Sequence, residues 1–237
     1  MRAVEKIHEK HKSISNYPPD VVPVYGRIMG TSFFPGGDGL WKEGNKNEDL
    51  TIEGIMVVGH NFDNVTGFHK SLQKGKEPKT CPTWRNITNF LKEAEVDLEN
   101  CFFTNVYVGL MQSDSNVGVF PGSKSEEFKK QCIDFLEYQI SIQRPSIILT
   151  LGGFVPALIS RLSSDLGDWI NVQKIGMLDL IEKQMIEDAK FCNGTVTSTV
   201  IALTHPALRH LNVKHRKYGD VAGHDAEIAM LRHAMEC

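Results

Sequence analysis

"IMVVGHNFDN", residues 55–64, decides how the chain is read. Its first residues form a continuous apolar run closed by Gly59, the pattern of a strand buried on both faces of a parallel sheet. Gly59 is followed by His60, Asn61, Phe62 and Asp63, a polar and aromatic set unusual for a plain turn. The same apolar form recurs in "CFFTNVYVGL" (101–110), "SIILTLGG" (146–153) and "TVIALTHP" (199–206).

Helical patterns lie between these runs. "PTWRNITNFLKEA" (82–94) places Trp84, Ile87 and Leu91 on one side. "SKSEEFKKQCIDFLEYQISIQRP" (123–145) offers a capping box of Ser123 with Glu126 and stops at Pro145. "FVPALISRL" (154–162), "MLDLIEKQMIEDAKF" (177–191, just before the Asn193-Gly194 turn signal) and "DAEIAMLRHAMEC" (225–237) are also read as helices. Residues 1–50 are read as an N-terminal helix followed by an irregular, Pro- and Gly-rich wrap, in which Phe33, Phe34 and Trp41 make satellite packing. Strands alternating with helices predict one domain over residues 1–237, a three-layer α/β/α fold with a central four-stranded, mainly parallel sheet. In such folds ligands lie beyond the carboxyl ends of the strands. That rule selects Gly59 to Asp63, Asn105, Gly152 with Gly153, and Thr204 to Pro206.

Composition bounds the function. The chain has 237 residues, 41% apolar and 23% charged, with a formal net charge of −3, so a nucleic-acid surface has to be a local patch. Five cysteines without a CxxC pair signal neither a disulfide framework nor a metal site, and a reduced cytosol is expected. The opening "MRAVEKIHEKHKSI" is charged rather than signal-like, and no apolar stretch reaches the roughly 18 residues of a membrane span. No Walker A, GxSxG or GxGxxG motif is present.

"VVGHNFDN", "TGFHKS", "PTWRN", "FFTNVY", "IILTLGG" and "THPALRHLN", in that order over roughly residues 55–215, resemble the motif set of the uracil-DNA glycosylase superfamily. In that superfamily the first motif is G-x-[DNE]-P-[YG], and the last is H-P-S or N-P-S followed by a loop that penetrates DNA. Gly59, His60 and Asn61 match the first; Phe62 stands in place of Pro, and Ala207 in place of Ser. The resemblance implies a core strand order of 2-1-3-4 and removal of uracil or a related damaged base from DNA by base flipping.

The residue types have chemical reasons to converge on that reaction. The carboxamide of Asn105 offers an acceptor and donors that match uracil's N3–H and O4, whereas cytosine presents the opposite pattern. Phe68 is the first choice for a ring stacked on the flipped base and Trp84 the reserve, with core packing the competing reading of both. His205 can donate to uracil O2 as negative charge builds there. Asn61 occupies the family position that orients the attacking water; Asp63 could hold it as well, or could serve an Asx turn or helix cap instead. The backbone amides around His60 and Asn61 could add donors, and Gly59 and His60 are expected to contact the substrate. Arg209, Lys214, Arg216 and Lys217 behind the His-Pro turn suit phosphates, while Leu208 or Leu211 suits the gap left by the base; a solvated charge run is the alternative. The expectation is a cytoplasmic monomer, nuclear in a eukaryote, needing no metal or other cofactor and acting on DNA, not on a membrane. The competing functions are a nucleic-acid-binding member without base release and a nucleoside- or nucleotide-processing α/β enzyme.

Overall fold

Buried apolar runs and amphipathic helices assemble as three layers in the computed structural model of the protein, which describes residues 1–42, 48–113 and 119–236. The expected wrap therefore lies partly, and Cys237 wholly, outside the described residues. In chain order the elements are α1 (Ala3–His11), β1 (Val21–Pro23), β2 (Ile55–Asn61), α2 (Val65–Lys74), α3 (Pro82–Glu93), β3 (Cys101–Tyr107), β4 (Gly109–Met111), α4 (Glu126–Gln143), β5 (Ile147–Leu151), α5 (Val155–Ile159), α6 (Gly176–Leu180), β6 (Met185–Phe191), β7 (Val196–Leu203), α7 (Arg209–Asn212), β8 (Lys217–Tyr218), β9 (Val221–Ala222) and α8 (His224–Glu236). The central sheet has the order β3-β2-β5-β7-β6. Its first four strands are mutually parallel, and their order is the expected 2-1-3-4.

The fifth strand is an addition to the four expected. β6 pairs antiparallel with β7 and comes from the segment 177–191 that the sequence presents as a helix. Only Gly176–Leu180 is helical there. The Asn193-Gly194 pair, with both residues at positive φ, reverses the chain and returns it along β7, so the turn signal belongs to a hairpin. A register irregularity between Ile186 and Ala189, with Asp188 at φ 53°, kinks the new edge strand, a feature that discourages further pairing. The capping box is also displaced: Ser125, not Ser123, caps α4 by accepting from the Phe128 N–H, while the Ser123 hydroxyl donates to the Phe120 carbonyl.

Two apolar cores cover the sheet. Met56, Val58, Phe102, Val106 and Ile148 pack with α1, α4 and α5 on one face. Val57, Phe103, Leu149, Ile201 and Leu203 pack with α3 and α8 on the other. The wrap is more than satellite packing, because it closes the open edge of β3: Phe34 N–H donates to the Phe103 carbonyl and Phe103 N–H to the Gly39 carbonyl, at 2.9 and 2.7 Å. Phe34 is fully buried against His8, His11 and Phe135. Among the described residues, no helix is long and apolar enough to cross a membrane.

Candidate functional site

The two principal polar residues stand toward the carboxyl ends of parallel strands. Phe103 and Asn105 share a side of β3, Ile201 and Leu203 face the α3/α8 core from β7, and His205 stands two residues past that strand's end. A glycine underlies each group. Gly59 is the register partner of Asn105, and a Cβ on Gly59 would lie 2.3 Å from Asn105 Oδ1, so no other residue lets the carboxamide lie across β2. Gly152, at φ 85°, would carry a Cβ 3.1 Å from the Cβ of His205. The two glycines belong to neighbouring strands, about 4.8 Å apart in the sheet. Gly152 thus has a packing reason in addition to its left-handed turn.

The wrap decides how Asn105 faces. Its Nδ2 donates to the Phe34 carbonyl at 2.9 Å, and a carbonyl accepts only, so the amide nitrogen must turn toward the wrap and Oδ1 toward Gly59. The side chain is 4% exposed. Sequence reasoning missed Phe34, because a backbone carbonyl carries no residue signature.

His205 precedes the short 3-10 helix Pro206–Leu208 and is partly buried. The Ala207 N–H donates to its Nδ1 at 3.3 Å. A backbone N–H cannot accept, so the neutral ring carries its proton on Nε2 and presents a donor there. Burial lowers the imidazole pKa, which keeps the ring neutral at pH 7. The Asn86 amide on α3 donates to the Pro206 carbonyl at 2.8 Å and braces the turn from the other side.

His60 and Asn61 are paired. His60 Nδ1 and Asn61 Oδ1 are 3.0 Å apart, and the Asn61 amide also reaches the Met111 sulfur at 3.8 Å. Burial pushes His60 down to about 4, with the neighbouring His205 adding to the effect. The His60 ring meets Tyr107 edge-on at 5.2 Å and Phe154 at 5.0 Å. Phe154, at 55% exposure, is an open aromatic beside the site that the sequence reading did not single out. Asp63 Oδ1 accepts from the Asn64 N–H at 2.7 Å and its carboxylate packs on Gly67. The helix cap itself is Asn64, whose Oδ1 accepts from the Gly67 N–H at 2.7 Å.

Four of the expected positions have other surroundings. Phe68 is fully buried with Ile28 and Leu110, and its ring edge meets Tyr25 and Phe62, so it has no open face for a base. Trp84, the reserve, is buried against Phe33 and Phe103, with its Nε1 donating to Glu77 at 2.9 Å. Phe62, which stands in the motif's proline position, is only partly buried and rests on Gly36 of the wrap. Arg216 is 1% and Arg209 9% exposed; both are drawn inward by the buried carboxylates of Glu227 and Asp179, which neutralise them where water cannot. The solvent-facing residues of this segment are Leu208, His210, Leu211, Asn212, Lys214, His215 and Lys217.

Glu77 joins the wrap to α3, accepting from the Phe33 N–H at 2.8 Å as well as from Trp84. Burial raises its carboxyl to about 7, and the Asp63 charge adds to this. Among the described residues, no group of three His, Cys, Asp or Glu is placed to hold a metal ion.

Comparison with known proteins gives one family: the model described as the uracil DNA glycosylase superfamily matches residues 44–220, about three quarters of the chain. Among curated proteins no match is found.

Proposed function

The chain belongs to the uracil-DNA glycosylase superfamily, and from that premise we propose that it removes uracil, or a related damaged base, from DNA by flipping the base out and hydrolysing its N-glycosidic bond. The observation that supports this reading is that Asn105 and His205 each lie against a glycine at the end of a neighbouring strand, Gly59 and Gly152. A flipped uracil would take its N3–H to Asn105 Oδ1 and its O4 to the second N–H of Nδ2, the first being held by Phe34. The leaving uracil becomes an anion, and the Nε2–H of His205 donates to O2 as that charge grows. Asn61 Oδ1 keeps a lone pair beyond the one facing His60 and holds the attacking water, with Asp63 beside it. Phe62, partly open and next to the wrap, supplies the stacking surface that buried Phe68 cannot. Lys214 and Lys217 meet phosphates, and Leu208 or Leu211 enters the gap left by the base. These groups perform the reaction in a monomer and without a cofactor.

One observation favours a second reading, a nucleic-acid-binding member that releases no base: Asn105 is nearly closed over by the wrap. Single-turnover assays on oligonucleotides bearing uracil, a thymine mismatch, hypoxanthine or xanthine separate the two. The glycosylase reading expects base release from at least one of them; retained DNA binding with no release from any supports the second.

A further inference from the structure

We propose that Glu227 is a positioning residue for His205, acting through Thr204 and through both ends of the loop that follows; this rests on the reading of His205 as the leaving-group donor. Glu227 lies on the inner side of α8 and is fully buried. An ionised carboxylate in such a place persists only when its oxygens are fully paired. Its Oε1 accepts from the Thr204 N–H at 2.7 Å, from the Thr204 hydroxyl at 2.7 Å and from Arg216 Nη1 at 2.6 Å, while Oε2 accepts from Arg209 Nη1.

The sequence positions of these partners give the cluster its meaning. Thr204 is the residue before His205; Arg209 and Arg216 bracket the segment that carries Leu211 and Lys214, with Leu208 just ahead of Arg209. Arg216 reaches back to the strand as well, donating to the Ala202 carbonyl at 2.8 Å, and forks onto Asp179 of α6 at 2.8 and 2.9 Å. Two cations and two anions balance within the protein, and one carboxylate gathers the end of β7 and both ends of the loop onto α8. A core that needed only to be filled would use apolar side chains here, which are as stable or more so. Directional bonds fix what apolar packing does not, the angle at which the strand delivers His205.

The test measures His205 directly. In protein with isotopically labelled histidine, the His205 ring resonances, assigned by their loss in His205→Ala, are followed by NMR in wild type, Glu227→Gln and Thr204→Val. Thr204→Val removes a single bond to the carboxylate and leaves both arginine pairs, so it keeps the proposal testable where Glu227→Gln fails to fold. The expected result is a displaced His205 ring signal and a displaced titration midpoint in Thr204→Val. Single-turnover base release should fall roughly tenfold to a hundredfold, with DNA affinity unchanged. Unchanged His205 signals in folded Thr204→Val, with base release at the wild-type rate, overturn the proposal. Wild-type protein that releases no base overturns the glycosylase reading alone, because the His205 signals still decide whether Glu227 positions the ring.

Discussion

A carboxamide can face a ligand in two ways, and the Phe34 carbonyl fixes which one Asn105 adopts. On the proposed reading, discrimination of uracil from cytosine depends on the wrap as well as on Asn105 itself. Asn105→Asp, which loses the amide donors, should weaken preference for uracil over cytosine in a competition assay on matched oligonucleotides. Gly59→Ala tests the same contact from beneath: its methyl would meet Oδ1 at 2.3 Å, and the clash should cost about 1–3 kcal/mol of stability in chemical denaturation and lower base release. Phe68→Ala should cost about 3–5 kcal/mol because the ring is core, and its unfolding midpoint should fall far more than its DNA affinity. The burial of Phe68 was not legible in "TGFHKS": an aromatic on a helix just past a strand end can face either the mouth or the core, and only the packing of Ile28 and Leu110 decides.

At the scale of elements, the loop from Pro206 to Arg216 divides into inward and outward residues. Lys214→Ala should weaken DNA binding evenly across sequences and reduce the slope of log affinity against log salt by about one. Arg216→Ala removes one partner of a buried charge pair and should instead destabilise the fold by about 3–5 kcal/mol, read as a lowered denaturation midpoint. Sequence treats the two cations alike, since "NVKHRKYG" carries no mark of which side chain meets a carboxylate; Glu227 and Asp179 lie 11 and 37 residues from Arg216. The parallel strands, by contrast, are plain in the sequence, because a strand covered on both faces must be continuously apolar. Segment 177–191 misleads for the complementary reason: an edge strand kinked at Asp188 keeps neither clean alternation nor a continuous apolar run.

For the molecule as a whole, the balance of titrating groups gives stability a definite pH dependence. Burial holds His11 and His60 at about 4, below the usual histidine value of 6.5, so their neutral forms favour the fold, and that contribution is lost as pH falls from about 6.5 toward 4. Glu77 acts oppositely: its folded pKa of about 7 lies above the usual 4.5, so its contribution is full below 4.5 and lost as pH rises through 7. Glu77→Gln should therefore gain stability relative to wild type between pH 5 and pH 8, a difference that denaturant titrations at the two pH values measure.

With a net charge of −3, the chain has no global basic footprint, so DNA binding calls for a local face, proposed here at the strand ends flanked by the exposed Lys214 and Lys217. Asn105 and His205 are proposed to act together on a flipped base. Single-turnover release from a uracil-containing oligonucleotide by wild type and His205→Ala, at saturating protein, tests it most directly. Release by wild type is expected, with a rate lower by roughly 10²–10³-fold in the variant at unchanged DNA affinity. Equal rates in the two proteins, or wild-type protein that binds the strand and frees no base from it or from thymine-mismatch, hypoxanthine or xanthine substrates, would contradict it.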